Sequence, residues 1–403
     1  MGGSVTGVSA QGGHRPGTAG YRRLNWAMLM AGIAAFGMLY STQPLLPQIS
    51  SAFGVSATAA ALTVSAGTGG LAVTVVAATW LGQRVGRVAV MRVGLVVAVL
   101  AQLTSTAMPT FELLLAARVV LGLALAGVVG VAMGHVGAEV HAVGIGRAMG
   151  LYVAGNSLGG VIGRLVTSGV SEFASWRVAD AALGAIAAAA TAAFVILLPA
   201  SEQVPRRDQT ERVRPDPRAW LRVDVWALAA IPFLLMGGFV GVYNFLTYRL
   251  MEPPFSLTPG LVGLVFLAYL AGTAASVLAG RSADRFGRPV SVLAALVLMG
   301  TGVLVTLSDR LSLVVTGLVI MTAGFFAAHA VASGWMPVVA GDLGPAASGL
   351  YVSGYYGGSS VLGAALGLAW SGGGWPATAW TVLALTGLAA GCVALVARRR
   401  LGA

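Results

Sequence analysis

A six-residue segment of this chain is written twice. Gly-Leu-Tyr-Val-Ala-Gly at Gly150–Gly155 returns as Gly-Leu-Tyr-Val-Ser-Gly at Gly349–Gly354, 199 residues later. Arg84-Val85-Gly86-Arg87 returns as Arg285-Phe286-Gly287-Arg288, 201 residues later. The chain has 403 residues, so this period divides it into two equivalent parts. Any fold must place the two copies correspondingly, as like halves of one molecule.

Apolar runs fill both halves, at about 24–47, 58–81, 88–108, 112–136, 146–170, 178–199, 223–249, 258–280, 289–308, 311–337, 344–371 and 375–397. Each is long enough to cross a bilayer as a helix, which takes about 20 residues. Charged residues make up 9% of the chain and hydrophobic residues 57%. Soluble domains carry about 25% charged residues, so a water-facing surface cannot be built from this set. Helices are required because backbone polar groups must be satisfied internally in lipid, and the alternation of barrel strands is absent. Duplication within a series of spans is the pattern of secondary transporters, whose halves move about a central site.

All 24 basic residues are Arg, and the net charge is +11. Such a charge could serve nucleic acid, but the arginines flank apolar runs instead of forming one surface, so no nucleic-acid partner is expected. Cys392 is the one cysteine, which excludes an intramolecular disulfide and a cysteine metal site. Neither a metal nor a cofactor is expected. The absence of a metal-ligand cluster, nucleophile motif or phosphate loop argues against an enzyme.

Arginine placement sets the topology. Nineteen arginines fall in one set of loops and tails and three, Arg177, Arg249 and Arg310, in the other. Both termini are therefore expected in the cytoplasm, with an even number of spans. The organisation reads as a cytoplasmic tail 1–23, a six-helix half 24–199, a cytoplasmic linker 200–222, a second six-helix half 223–397 and a tail 398–403. The linker holds Pro205, Pro215, Pro217 and six arginines. The first run lacks a cleavage site and reads as a retained span. Glycines Gly155, Gly159, Gly160 and Gly163 in span five, and Gly354, Gly357, Gly358 and Gly363 in span eleven, allow close helix approach. Their recurrence suggests that they line the interface that moves.

The loop after span eight reads Gly280-Arg281-Ser282-Ala283-Asp284-Arg285-Phe286-Gly287-Arg288. It resembles the signature loop of the major facilitator superfamily, Gly-x-x-x-Asp-Arg-x-Gly-Arg. The first-half copy has Gln83 where the family usually has Asp and Thr79 where it usually has Gly. An Asp at a helix end can take charge-assisted hydrogen bonds from Arg or from a helix N-terminus. Asp284 therefore reads as a gating latch, with Arg84, Gly86, Arg87, Gly280, Arg285, Gly287 and Arg288 completing the motif.

In span four, Arg118-Val119-Val120-Leu121-Gly122 resembles the family's second motif, with Leu121 where a polar residue is common. In span five, Gly155–Arg164 is similar in position to the antiporter motif of drug exporters, with Gly160 replacing its proline and Arg164 its last glycine. Tyr40-Ser41-Thr42-Gln43-Pro44 and the stretch Phe325 to His329 also fit, so the resemblance covers essentially the whole chain.

It looks closest to bacterial twelve-span drug:proton antiporters and sugar-efflux permeases. The implied fold is an all-α integral membrane protein, with twelve transmembrane helices in two pseudo-symmetric six-helix halves. The implied function is proton-coupled efflux of a small amphipathic drug-like or sugar-like solute across the bacterial inner membrane. The partners are then the solute, protons and the bilayer, and a monomer is expected. Organic-anion uptake or exchange, and a transporter-like sensor, are the alternatives.

A charge at bilayer depth costs at least about 2.5–3.5 kcal/mol, so Arg118 and Arg164 each need a partner or a wet cavity. Arg164 lies about 27 Å along its helix from the inner end at 1.5 Å per residue, on one face with Ser157, Gly160 and Ser168. Glu112, Glu139 and Asp180 fall at span ends, which leaves no acid mid-helix. The coupling candidates are thus Arg118, Arg164 and His329, the last because imidazole can change charge near neutral pH. Tyr40, Gln43, Asn156, Tyr243, Asn244, Tyr355 and Tyr356 are the candidates for a solute cavity. Tyr355 and Tyr356 replace Asn156 and Ser157 of the duplicated segment, an asymmetry expected where a ligand meets one copy.

Overall fold

The computed structural model describes residues 13–199 and 222–401. The helices are α1 (Ala19–Leu39), α2 (Ala57–Val85), α3 (Arg87–Ser105), α4 (Phe111–Val129), α5 (Ile145–Ser171) and α6 (Trp176–Leu197) in the first half. The second half holds α7 (Val223–Met251), α8 (Ala268–Phe286), α9 (Arg288–Val305) and α10 (Leu311–Ala340). A last helical stretch, Gly344–Leu401, is broken by non-helical backbone at Gly373 and Gly374. The break separates α11 (344–372) from α12 (375–401). Short helices extend three spans: Leu46–Phe53 after α1, Ala132–Glu139 after α4 and Pro259–Gly263 before α8.

Among the described residues, ten helical stretches are long and apolar enough to cross a membrane, by length and composition alone. The difference from twelve has two sources. Asn156, Ser157, Arg164 and Ser168 dilute α5, and α11 and α12 count as one stretch. Most of the linker read at 200–222, and much of both tails, lies outside the described residues. Arg222 is described, and it pairs with Asp224 at 2.6 Å. The first helix starts at Ala19 and not at Leu24, because the Thr18 hydroxyl accepts the Tyr21 amide (3.2 Å) and fixes the first turn. The last helix carries Arg398 and Arg399 within it.

Ser56, Thr110 and Ser175 cap α2, α4 and α6 in the same way as Thr18 caps α1. These three helices begin at the end of the bundle opposite the termini, called the far end below. At the terminal end, α2 passes to α3 through Gly86 alone and α8 to α9 through Gly287 alone, with φ of 100° and 82°. Only glycine adopts such backbone without strain. This is the physical reason for a glycine inside each copy of the repeated loop.

The glycine stripes do not line the interface between halves; they pack within each half. A Cβ on Gly155 would lie 2.6 Å from the Leu29 carbonyl oxygen, and one on Gly159 2.5 Å from that of Ile33. The counterparts Gly354 and Gly358 meet the Ala229 and Phe233 carbonyls at 2.8 and 2.0 Å. Thus α5 lies against α1, and α11 against α7, by the same backbone approach. Sequence spacing located the close contacts but could not name the partner helix.

The halves join chiefly at the far end and the centre. Ser360 donates to the Ser65 carbonyl (2.8 Å), and Thr58 and Ser371 share a hydrogen bond (3.1 Å), which ties α2 to α11. Gly260 donates its amide to Glu172 (2.7 Å), and Ser50 meets Tyr248 (2.6 Å). The partner of α5 across the interface is mainly the leading turns of α8, Pro259–Leu267, more than its body. Toward the terminal end, Gly146 and Gly150 of α5 and Gly280 of α8 have nothing within 4 Å of a built Cβ.

Candidate functional site

The first half contains a buried polar box at its far end. Arg118 of α4 is fully buried, and its guanidinium is spent on oxygens. Nε donates to the Thr63 carbonyl (3.0 Å), Nη2 to the Leu39 carbonyl (2.6 Å), and Nη1 to Met38 O, Gln102 Oε1 and Ser41 Oγ (3.1–3.3 Å). The Met38 and Leu39 carbonyls end α1, where the helix macrodipole favours a cation. Arg118 therefore holds the broken end of α1 to α2, α3 and α4.

Asp180, at the start of its span as the sequence reads, completes the box. It lies near the start of α6 but is 0% exposed, where α6 packs against α1 and α3. Its Oδ2 accepts one long hydrogen bond from Ser105 Oγ (3.3 Å), while Oδ1 has no partner. Arg118 is near but makes no ion pair with it. The groups facing Asp180 are Arg118 from α4, Gln102 and Ser105 from α3, and Ser41 after α1. Burial of Asp180 depends on tertiary packing, and no local pattern in its span signals it.

A second buried cation sits between the halves. Arg164 of α5 is 2% exposed. Its Nε donates to Gln43 Oε1 (2.8 Å) and its Nη1 to the Gly160 carbonyl (2.7 Å). The guanidinium carbon lies 4.7 Å from the ring centres of Tyr40 and Tyr269 and 5.2 Å from that of Phe266. Such cation–π contacts offset part of the lost hydration. Gln43 in turn donates to Asn244 Oδ1 (2.8 Å), and Asn244 donates to the Gly363 carbonyl (3.3 Å). This chain of bonds crosses the interface from Arg164 to Gly363, its own counterpart 199 residues on.

From Arg164 a layer of rings extends through the second half. Tyr269 and Phe266 contact Tyr243 (5.1 and 5.2 Å), Tyr243 contacts Phe239 (5.0 Å), and Phe239 stacks on Phe325 (3.9 Å, 13°). Beyond it His329 lies parallel to Phe325 (6.1 Å) and 4.7 Å from Tyr355, which contacts Tyr356 (5.1 Å). Tyr243 is anchored by Thr322 (2.8 Å) and His329 by Tyr351 (3.0 Å). Tyr269, Phe326, His329 and Tyr355 are only partly buried, so the layer has an accessible side.

Of the cavity candidates, Tyr40, Gln43, Tyr243, Asn244, Tyr355 and Tyr356 join this centre. Asn156 instead points at α1, where a Cβ on Gly32 would lie 2.6 Å from its Oδ1. The three coupling candidates do not converge: Arg118 is in the box, Arg164 is at the interface, and His329 connects to Arg164 through rings alone. Sequence reasoning missed Phe239, Phe266, Tyr269 and Phe325 as site residues. On helices that are apolar all round, an aromatic residue does not reveal which way it faces. In the gating motif, Asp284, Arg84, Arg285 and Arg288 are exposed. Asp284 makes no ion pair among the described residues. Arg84 lies over Trp80 (4.1 Å) and Arg285 over Phe286 (5.0 Å).

Residues 28–252 match the family model described as Major Facilitator Superfamily. An uncharacterized MFS-type transporter of Bacillus subtilis, YybF, is 36% identical over 360 residues, which is 89% of each chain. The inner membrane transport protein YnfM of Escherichia coli is 37% identical over 366 residues, 88% of this chain and 85% of YnfM. A chloramphenicol resistance protein of Streptomyces lividans is 32% identical over 213 residues, about half of each chain. Among solved structures, a bacterial homolog of the human lysosomal transporter Spinster, inward-facing and occupied, superposes with a TM-score of 0.73 at 14% identity, over 94% of this chain and 97% of that one. The inward-open xylose transporter XylE of E. coli gives 0.72 at 12%, over 92% and 95%.

Proposed function

Since this chain belongs to the major facilitator superfamily, and is thus a multi-pass membrane transporter and not an enzyme, we propose that it exports a small amphipathic solute by alternating access, in exchange for protons. The observation that carries this reading is the layer of rings, Tyr269 to Tyr355, which starts at the interface beside Arg164 and extends through the second half. Rings offer large apolar contact and favour a solute with an apolar, flat part over a sugar. The name of the Streptomyces relative supports outward transport, and that of YnfM an inner-membrane location. With the termini in the cytoplasm, as the arginine distribution supports, the joined far end is the outer one. The arrangement described above then receives solute from the cytoplasm.

Asp180 is the group that carries the proton. A buried carboxylate with one long hydrogen bond and a bare oxygen is costly, and protonation removes that charge. A rearrangement of the first half that brought Arg118 onto the carboxyl would favour release of the proton. Proton binding and the position of α1, which Arg118 holds, are thereby linked.

The test is counterflow in proteoliposomes with a panel of amphipathic drugs and sugars, followed by an imposed pH gradient. The reading expects counterflow of an amphipathic compound and its concentrative movement against the proton gradient. Absence of counterflow with every compound would favour a sensor, and movement of sugars alone would replace the solute class.

A further inference from the structure

Arg164 holds more hydrogen-bonding capacity than the protein uses. Guanidinium carries five N–H donors and stays charged at any working pH. Only two hydrogen bonds are made, to Gln43 and Gly160, and Nη2 makes none to the described residues. No carboxylate lies within ion-pair reach of it among the described residues. The hydroxyl of Tyr40, whose ring the guanidinium covers, is buried beside the Ser359 hydroxyl and makes no hydrogen bond of good geometry. Arg118, by contrast, is saturated by oxygens of its own half. A cation kept in lipid depth without a counter-charge, beside the ring of Tyr40 and at one edge of a ring layer, is suited to an anionic visitor.

We infer that the solute is an aromatic carboxylate, whose oxyanion docks on Arg164 and the Tyr40 hydroxyl while its ring enters the layer of Tyr269, Tyr243, Phe239 and Phe325. This rests on the proposed transport of an amphipathic solute and narrows its class. Guanidinium and carboxylate match as planar, bidentate partners. The ring layer discriminates against simple inorganic anions, which cannot use it. Gln43 serves as a positioning residue: it holds Nε, leaving the other edge of the guanidinium for the solute. The same bond ties the anion site to Asn244 of the other half, so occupancy of Arg164 is felt across the interface.

The test compares 1-naphthoate with 1-naphthamide, equal in shape but not in charge, by calorimetric titration of the purified full-length protein. The wild type should bind the carboxylate at least about tenfold tighter, the ratio that corresponds to one charge-assisted hydrogen bond's advantage. Arg164→Gln should bring the two affinities together, and Arg164→Lys should keep part of the difference. Equal affinities in the wild type overturn the anion inference and leave the amphipathic solute standing. Binding of neither compound, with counterflow of an amphipathic cation, also overturns it. Failure of every compound in both assays removes the transport reading with it. If Arg164→Gln does not fold, the wild-type ratio alone decides, read with Tyr40→Phe, which should lower carboxylate affinity and spare the amide.

Discussion

Arg118 and Arg164 are equally hidden from solvent, yet their surroundings differ in kind. Arg118 meets carbonyls, an amide and a hydroxyl, all from its own half, and every nitrogen has a partner. Arg164 meets rings, one amide and one carbonyl at the boundary of the two halves and keeps a nitrogen idle among the described residues. A buried charge by itself therefore says nothing about function. What decides is whether the protein supplies its oxygens. The second half has no copy of either: Leu318 stands at the offset of 200 residues from Arg118, and Gly363 at 199 from Arg164. The duplication preserved the scaffold of glycine contacts and one-residue turns, while these two buried arginines stand in the first half and most of the ring layer in the second.

The largest effect expected is on stability. Arg118→Gln removes the guanidinium bonds that join α1, α2 and α3 and leaves the Leu39 carbonyl at the end of α1 without its donor, at about 1–3 kcal/mol for a group left unsatisfied. Thermal unfolding in detergent should show Tm falling by many degrees. A Tm within error of the wild type would break the assignment of Arg118 to scaffold. Next comes Asp180→Asn, which keeps shape and removes the titrating group. Concentrative movement under a pH gradient should be lost, with gradient-free exchange retained. Persistence of the pH-driven component would exclude Asp180 as the proton carrier. Exchange lost as well would mean that the box is structural throughout.

The smallest effect is expected at Asp284, exposed and without an ion pair among the described residues. Asp284→Asn should leave Tm unchanged but slow transport, by shifting the balance between the two access states. Distances across the terminal end, measured by spin-label spectroscopy, should shift toward the open form. Identical distance distributions in wild type and variant would remove the latch.

The same contrast separates what the amino-acid sequence displays from what only packing creates. The series of spans, their duplication and the role of Gly86 and Gly287 are legible because length, spacing and a bare backbone leave direct marks in sequence. Arg118 and Arg164 are conspicuous because charge is rare in such helices. Their different fates are not, since these depend on which carbonyls and rings three or four other helices bring. Asp180 escapes for the same reason: its sequence shows an acid at a span end, and its burial belongs to the packing of α1 and α3. The glycine stripes show the closeness of contact but not its address, which is α1 and α7 and not the opposite half. Gln43 and Asn244 are legible as polar residues in apolar runs, although their bond to each other spans 201 positions of sequence.

The most direct test measures Tm for Arg118→Gln and Arg164→Gln side by side, each with and without 1-naphthoate. Arg118→Gln should melt well below the wild type and still gain stability from the compound, because its solute site is intact. Arg164→Gln should melt within a few degrees of the wild type and gain nothing. The opposite pattern, a stable Arg118→Gln that has lost the response beside an unstable Arg164→Gln that keeps it, would contradict the division between a cation that holds the fold and a cation that holds the solute.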